Sequence, residues 1–240
     1  RSSDLRKKEG EVVRVISRDK DIVIGIFQKN KNFGFVTPTH SFGRDIYIPS
    51  IRMKNAENNQ LVVVRITFWG DNERKPEGEI VEILGNPYDT KNMIEALIIR
   101  EGMSETFPPE AMAEARRIPM EIGKKELEGR KDLRHLPIIT IDGDDAKDLD
   151  DAVYVEKLKN GNYKLIVSIA DVSHYIPEGS ALDREAYKRG NSVYLVDRVL
   201  PMFPKEISNG ICSLNPNEDK LTFTCEMEID KKGKVVDSDT

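Results

Sequence analysis

Residues 141–151 read IDGDDAKDLDD, which places six aspartates within ten residues, with Lys147 as the only cation among them. Carboxylates this close repel one another and raise one another's pKa unless a positive charge compensates them. Apolar residues flank the run, over residues 138–141 before it and at Ala152 and Val153 after it. These flanks favour carboxylates held at the edge of a folded core over a freely solvated acidic turn, which is the alternative.

Hard divalent cations are the best explanation of such a cluster. A calcium-binding EF-hand loop starting at Asp142 would need an oxygen ligand at its fifth position, glycine at its sixth and glutamate at its twelfth. Those positions are Ala146, Lys147 and Val153, so that interpretation fails. Mg²⁺ prefers a few carboxylates, water and phosphate oxygens, and two ions roughly 4 Å apart can promote phosphodiester hydrolysis. The sequence contains no Gly-rich phosphate loop to support transfer from a nucleoside triphosphate.

The segments around the aspartates predict an α+β domain. Ser180 and Asp183 indicate the start of a helix that ends at Gly190. Strands and helices follow one another without regular βαβ alternation, which is typical of the α+β class. Short apolar runs predict strands over residues 138–141, 152–157, 163–170, 192–196 and 221–229.

The first part of the chain predicts a small β-barrel. Its short runs of Val, Ile, Phe and Tyr alternate with turn residues and show no helical period. A five- or six-stranded closed barrel such as an OB-fold fits this pattern, and a β-sandwich fits the strand count almost as well. The predicted strands lie near residues 10–17, 22–28, 33–37, 45–48, 61–69 and 78–84.

Helices are predicted between these two parts. Apolar residues over 93–98 recur at helical spacing before a stop at Gly102, and Pro108 precedes a second helix that runs to about Arg117. Residues 121–134 are charged and predict an exposed connector. We therefore divide the chain into a barrel (1–86), a helical connector (87–137) and the start of an α+β domain (138–240).

Composition restricts the class of protein. Residues 1–86 carry 15 Lys and Arg against 12 Asp and Glu, whereas residues 87–240 carry 22 against 30. No stretch approaches the roughly 18 consecutive apolar residues of a membrane helix. Cys212 and Cys225 are too few for a disulfide framework, and three histidines make a zinc site untenable. We expect a cytoplasmic protein with no membrane contact and no disulfide partner, its cysteines buried as small apolar residues.

The aspartate run resembles the signature of the ribonuclease II superfamily, in which T-I-D is followed by D-x-D-D starting six residues after the first aspartate. Thr140 to Ala152 match that signature. The sequence of these motifs is most similar to the ribonuclease R branch of the superfamily. Further motifs of the superfamily follow in the same order: SIADVS at 168–173, LDREA at 182–186, NSVY at 191–194, LPM at 200–202 and SNGICSLNP at 208–216.

The resemblance implies a role for each matching acid. Asp142 and Asp151 are expected to ligate Mg²⁺ directly, and Asp148 to hold metal through water. Asp150 is the carboxylate on which the chemical step depends most, through a second ion. Mn²⁺ is expected to substitute for Mg²⁺.

Other residues near these motifs receive different interpretations. Tyr194 matches the tyrosine that stacks on a base near the scissile bond, although without the family a core aromatic would be the better interpretation. Asp144 and Asp145 have no counterpart in the motif and are expected to be solvated or to contact the metal ligands without binding the metal. Asp171 and His174 have no catalytic counterpart and are interpreted as structural.

The segment KNFGFV at 31–36 resembles the cold-shock motif KGFGFV, with Asn32 in place of the first glycine. Phe33 and Phe35 share one face of a strand because side chains alternate. Tyr47 is expected beside them and Lys31 next to them, which is the combination that base stacking and phosphate attraction require. Taken alone, such aromatics more often belong to a core.

The resemblance as a whole implies a processive, hydrolytic 3′→5′ exoribonuclease that degrades single-stranded RNA to nucleoside 5′-monophosphates. The first residue is not Met, and we expect the chain to be an inactive piece of an active parent. We also expect a monomer, associated with RNA-decay or ribosomal factors. The alternatives are a catalytically dead RNA-binding regulator built on the same scaffold and a calcium-stabilised structural protein.

Overall fold

A computed structural model describes residues 13–16, 18, 20–40 and 42–240. The chain forms two compact units, Arg1–Met103 and Ser104–Thr240. Within the described ranges, no helix has the length and apolar character needed to cross a membrane. The predicted boundaries after residues 86 and 137 stay predictions.

The first unit contains a closed five-stranded barrel. Its strands are β1 (Ile22–Lys29), β2 (Phe33–Pro38), β3 (Ile46–Pro49), β4 (Leu61–Phe68) and β5 (Glu77–Gly85). Around the barrel they follow the order β1-β2-β3-β5-β4, and β1 pairs with β4 to close it. All pairings are antiparallel except that of β3 with β5. The predicted OB-type barrel is confirmed, and the sandwich alternative is wrong.

Side chains alternate between the two faces of each strand, and the inward-facing ones fill the barrel. Phe27, Val36, Ile46 and Val64 point inward and are completely buried, and each such side chain contributes about 1.5–3 kcal/mol of burial free energy. Gly34 lies between two outward-facing aromatics, and a Cβ there would collide with the Phe27 ring. The glycine is therefore required by the packing of the core beneath the aromatic face.

The predicted strand over residues 10–17 is wrong where it can be judged. Residues 13–16 are described and form no strand, and their side chains are exposed. Residues 10–12 and 17 lie outside the described part of the chain. Its described apolar residues, Val13, Val15 and Ile16, stay exposed, and the pairing of β1 with β4 already closes the barrel.

Helix α1 (Thr90–Glu101) matches the predicted helix. The Asp89 side chain caps it by accepting a hydrogen bond from the amide of Lys91 at 2.9 Å. Gly102 ends it with a left-handed conformation, φ 72°. Ala96 and Ile99 pack against barrel residues, so this helix belongs to the first compact unit.

The second unit contains a four-stranded sheet in the order β11-β10-β7-β6 and a separate two-stranded hairpin, β8-β9. Its strands are β6 (Asp151–Lys157), β7 (Tyr163–Ala170), β8 (Val193–Tyr194), β9 (Val199–Leu200), β10 (Thr222–Ile229) and β11 (Val235–Asp239). Its helices are α2 (Pro109–Ala115), α3 (Val172–Tyr175) and α4 (Ala181–Arg189), with a 3₁₀ turn at Lys124–Leu127 and a π-type turn at Glu206–Ile211. The mixed α+β class is confirmed.

The core of this unit lies between α2, α4 and the π-type turn. Ala111, Leu182, Ile207 and Ile211 are among its buried residues. Cys212 joins them as a buried free thiol, whereas the free thiol of Cys225 on β10 is only half-buried. The predicted burial of the cysteines therefore holds fully at Cys212 alone.

The predicted strand over residues 138–141 is wrong. Ile139 forms a single bridge with Val153, and no strand continues from it. Ile139 is 58% exposed and Ile141 is 79% exposed, so these two apolar residues before the aspartates do not enter a core. The aspartate run is anchored on its other side, where Ala152 is buried. The predicted strand over residues 192–196 is reduced to the two residues of β8.

Candidate active site and nucleic-acid interface

The aspartate run forms a loop that leads directly into the sheet. Residues 142–150 contain a turn and no helix or strand, and Asp151 is the first residue of β6. Asp151 pairs with Ile169 of β7, and the amide of Ala170 donates to the carbonyl of Asp150 at 2.9 Å. The four-stranded sheet therefore places Asp150 and Asp151 at the start of β6, while the earlier acids lie in the loop.

Three of the acids that match the family motif act on the fourth, Asp150. Partial desolvation raises the pKa of Asp150, although its side chain still meets solvent, and the charges of Asp148, Asp151 and Asp142 raise it further. Among the described residues, no Lys, Arg or His forms a salt bridge with any of the six aspartates in the run. The Asp150 carboxylate thus experiences like charges that no salt bridge offsets within the described residues.

The donor chemistry of this cluster fits a hard divalent cation. It offers only carboxylate oxygens, which are the ligands that Mg²⁺ and Mn²⁺ prefer. In the described part of the chain, however, no three acidic, His or Cys side chains are arranged as a ready-made metal site. The residues fit the ion in chemistry, but this structure does not arrange them to coordinate it.

Tyr194 reaches the same cluster from the β8-β9 hairpin. Its hydroxyl donates a 2.7 Å hydrogen bond to Oδ2 of Asp148. Donation to a carboxylate and partial desolvation raise the pKa of the Tyr194 phenol. The side chain is 66% exposed, so the ring is available for stacking and is not a core aromatic.

Arg189, the last residue of α4, holds this hairpin in place. Its guanidinium pairs with Glu185 at 2.9 Å, and both side chains are largely buried. It also donates to the carbonyl of Pro201, just after β9, at 3.1 Å. Further donations go to the carbonyls of Ser104 and Thr106. One side chain therefore connects the hairpin to α4 and to the segment before α2.

Asp171 and His174 lie at the end of β7 in a separate hydrogen-bonded group. Arg130 donates to Asp171 at 2.6 Å, and Ser173 donates to the same carboxylate at 3.0 Å. Desolvation would raise the pKa of Asp171, but these hydrogen bonds outweigh it and lower the pKa. The amide of His174 is capped by Asp171. These contacts agree with a structural role.

The aromatic residues predicted on the barrel meet on one face. The ring centroids of Phe33 and Phe35 are 5.5 Å apart, and Tyr47 lies 5.7 Å and 5.9 Å from them. All three are half-buried, with one side open to solvent. Lys31 is exposed just before β2. The structure brings the three rings together as a platform.

The platform continues into a groove of about 570 Å³ that sequence reasoning missed. The ammonium of Lys75 lies 4.7 Å from the Phe35 ring centroid, and the guanidinium of Arg74 lies 4.3 Å from that of Phe68. Arg52 completes the groove and donates to Thr67 and Glu77. The basic pair at 74–75 before Pro76 was a visible signal, but only strand pairing placed it beside the aromatics.

Comparisons with known proteins agree with this arrangement. The profile of the RNB domain matches residues 130–240, and the profile of the cold shock domain matches residues 35–108. Ribonuclease R of Thermotoga maritima is 49% identical over 230 residues, an alignment that covers 95% of this chain and 32% of that protein. Residues 130–240 form an RNB domain. The predicted resemblance is confirmed, and the chain spans about a third of the length of this RNB relative.

Solved structures show the same RNB fold. Mycoplasma genitalium RNase R in complex with ribose-methylated single-stranded RNA has a TM-score of 0.86 at 26% identity, covering 98% of this chain and 38% of that chain. Yeast Ssd1, described as a pseudonuclease, has a TM-score of 0.75 at 22% identity, covering 95% and 30%. The second likeness shows the fold alone. The RNB fold by itself therefore does not decide between a nuclease and an inactive relative.

Proposed function

We propose that this chain is part of a 3′→5′ exoribonuclease that hydrolyses single-stranded RNA processively and releases nucleoside 5′-monophosphates. The RNB domain supports the reaction class. The observation that carries the proposal is that Asp142, Asp148 and Asp151 raise the pKa of Asp150, while no salt bridge offsets the charge of these four acids in the described part of the chain. A protein that only binds RNA gains nothing from such repulsion. Because the relatives are longer, the activity is proposed for the whole parent protein.

Four carboxylates would hold the metal in this proposal. Asp142 and Asp151 would ligate Mg²⁺ directly, Asp148 through water, and Asp150 would serve the chemical step, with a second ion. Divalent ions bound there supply the Lewis acidity that phosphodiester hydrolysis needs. Mn²⁺ carries the same preference for oxygen ligands and would substitute.

The chain's own residues would orient the substrate. The exposed ring of Tyr194 would stack on a base near the scissile bond, next to Asp148, to which its hydroxyl is bonded. On the barrel, Phe33, Phe35 and Tyr47 would stack on bases further along the strand, while Lys75 and Arg74 would attract its phosphates. The solved RNA complex of the Mycoplasma relative supports RNA as the ligand. Contacts to 2′-hydroxyls would distinguish RNA from DNA.

Other properties stay predictions. We expect the parent protein to be a cytoplasmic monomer associated with RNA-decay or ribosomal factors. Size-exclusion chromatography coupled to light scattering would test the monomer. Affinity purification with and without ribonuclease treatment would separate direct protein partners from those bridged by RNA.

The parent protein with Asp150→Asn tests the proposal. We expect loss of metal-dependent RNA degradation with single-stranded RNA binding retained, because the substitution removes one charge and leaves the barrel intact. Asp144→Asn is the matched control in the same loop and should keep activity. A wild-type parent that binds RNA but degrades none would instead establish the RNA-binding regulator.

The 240-residue chain alone gives a second test. We expect it to bind single-stranded RNA without degrading it, since it spans about a third of the relative's length. Robust degradation that depends on Mg²⁺ or Mn²⁺ and disappears in Asp150→Asn would contradict this expectation while supporting the proposed chemistry.

A further inference from the structure

Ser213 is completely buried, with a relative exposure of 0%. It follows Cys212, which packs in the core beside Ile211 of the π-type turn. Burying a hydroxyl without hydrogen-bond partners costs free energy, so the partners of the Ser213 hydroxyl indicate its structural role. Ser168, on β7, is also buried and provides an internal comparison.

The partners of Ser213 lie on both sides of one family-matched aspartate. The amide of Leu149 donates to Ser213 Oγ at 3.1 Å, and Ser213 Oγ lies 3.0 Å from the carbonyl oxygen of Lys147, to which it donates. Asp148 is the residue between these two backbone groups. A single buried side chain therefore fixes the peptide groups before and after Asp148.

Neighbouring contacts extend this attachment. The amide of Leu214 donates to the carbonyl of Leu149 at 2.8 Å, so Leu149 is bonded through both of its backbone groups. The side-chain oxygen of Asn215 is a second acceptor for the hydroxyl proton of Ser213, at 3.0 Å. Because the loop contains no helix or strand of its own, these bonds replace the regular pairing that would otherwise define its backbone.

We infer that Ser213 is a positioning residue for the aspartate loop, which holds Asp148 in place and keeps it beside Asp150. This inference rests on the proposed function in one respect: the position of Asp148 matters because Asp148 is proposed to hold metal. Ser168 has a different setting, since its hydroxyl lies 3.0 Å from Thr224 Oγ1 across paired strands. Removing either hydroxyl should cost similar stability, whereas only the loss of Ser213 should release the loop.

Amide hydrogen exchange of the 240-residue chain tests the inference without metal or RNA. In the wild type, the amide of Leu149 should exchange at least tenfold more slowly than those of Asp144 and Asp145. Ser213→Ala should abolish that protection, and Ser168→Ala should leave it unchanged. Fast exchange at Leu149 in the wild type would overturn the inference, and this measurement needs no variant to fold. Equal protection in Ser213→Ala would overturn it as well.

Calorimetry of Mn²⁺ binding tests whether loss of the Ser213 hydroxyl weakens metal binding by the carboxylates. Groups that orient metal ligands without binding the metal themselves commonly contribute 10–100-fold to metal affinity. We therefore expect Ser213→Ala to weaken binding about tenfold, Ser213→Cys to weaken it less, and Ser168→Ala to have no effect. Unchanged affinity in Ser213→Ala would overturn the positioning role. Absence of Mn²⁺ binding in the wild type would contradict the proposed function, while the exchange experiment would still decide the inference.

Discussion

The Tyr194 hydroxyl donates a 2.7 Å hydrogen bond to Oδ2 of Asp148. The two residues are 46 positions apart, one on a short hairpin and the other in an irregular loop. The bond joins the residue expected to stack on a base to one expected to hold metal through water. In the proposed function, this bond would link the position of the substrate to that of the carboxylate.

Substitutions of Tyr194 separate its ring from its hydroxyl. Tyr194→Phe should keep RNA affinity within about twofold, because the ring remains. Tyr194→Ala should weaken binding by about 1–3 kcal/mol if a base stacks there. Fluorescence anisotropy with a labelled oligonucleotide measures both. Tyr187, exposed on α4, is a control aromatic whose replacement by Ala should have no effect. Equal affinity for Tyr194→Ala and the wild type would contradict stacking.

The groove on the barrel predicts a change in salt dependence. Lys75→Ala should weaken single-stranded RNA binding and reduce the slope of log affinity against log salt by about 0.7, the loss of one phosphate contact. Lys91→Ala, on the surface of α1, is the matched control and should leave the slope unchanged. Titrations at several salt concentrations decide between them. The same slope for Lys75→Ala and the wild type would place the phosphates elsewhere.

The aromatic platform makes the complementary prediction. Phe35→Ala should lower affinity by about 1–3 kcal/mol at every salt concentration, because stacking releases no counterions. The same titrations measure it. An effect of Phe35→Ala on the slope alone would show that the ring acts only by holding Lys75.

Glu114 predicts a pH dependence of stability. Its carboxylate accepts hydrogen bonds from the amides of Ala181 and Leu182 at the start of α4, at 3.0 Å and 2.9 Å. These bonds lower its pKa. A lowered folded-state pKa means that the stabilisation is complete above the unfolded-state pKa and disappears as pH falls through the folded-state value.

Glu114→Gln should therefore cost about 1 kcal/mol of unfolding free energy at pH 7, and the difference from the wild type should narrow as the pH is lowered below 4. Urea denaturation over pH 3–7 measures this. Glu110→Gln, exposed in the first turn of α2, is the control and should cost only a few tenths of a kcal/mol. A constant difference at all pH values would assign the effect to packing.

Metal addition should stabilise the second unit. At a hundredfold excess over its dissociation constant, Mg²⁺ or Mn²⁺ should add about 2.7 kcal/mol to the unfolding free energy. Asp142→Asn should remove this gain and be neutral or stabilising in chelator, because it relieves repulsion. Asp144→Asn should retain the gain. Thermal unfolding with each ion measures it, and a gain with Ca²⁺ alone, without RNA binding, would indicate a structural calcium protein.

The sequence alone determined the elements that depend on consecutive residues. Gly102 marks the end of α1, and short apolar runs define the barrel strands. The spacing of Asp142, Asp148, Asp150 and Asp151 identified the family. Helix caps, apolar periodicity and motif spacing are local properties, so they can be recognised in the sequence without knowledge of the fold.

Contacts between distant residues were decided only by the tertiary structure. Folding placed Lys75 over Phe35, and it brought Ser213 into hydrogen-bonding contact with the backbone on both sides of Asp148. The same folding left Ile139 and Ile141 exposed, although their apolar character predicted a buried strand. A side chain's partner depends on which segments pack together, and that choice minimises the free energy of the whole unit rather than of any one stretch of sequence.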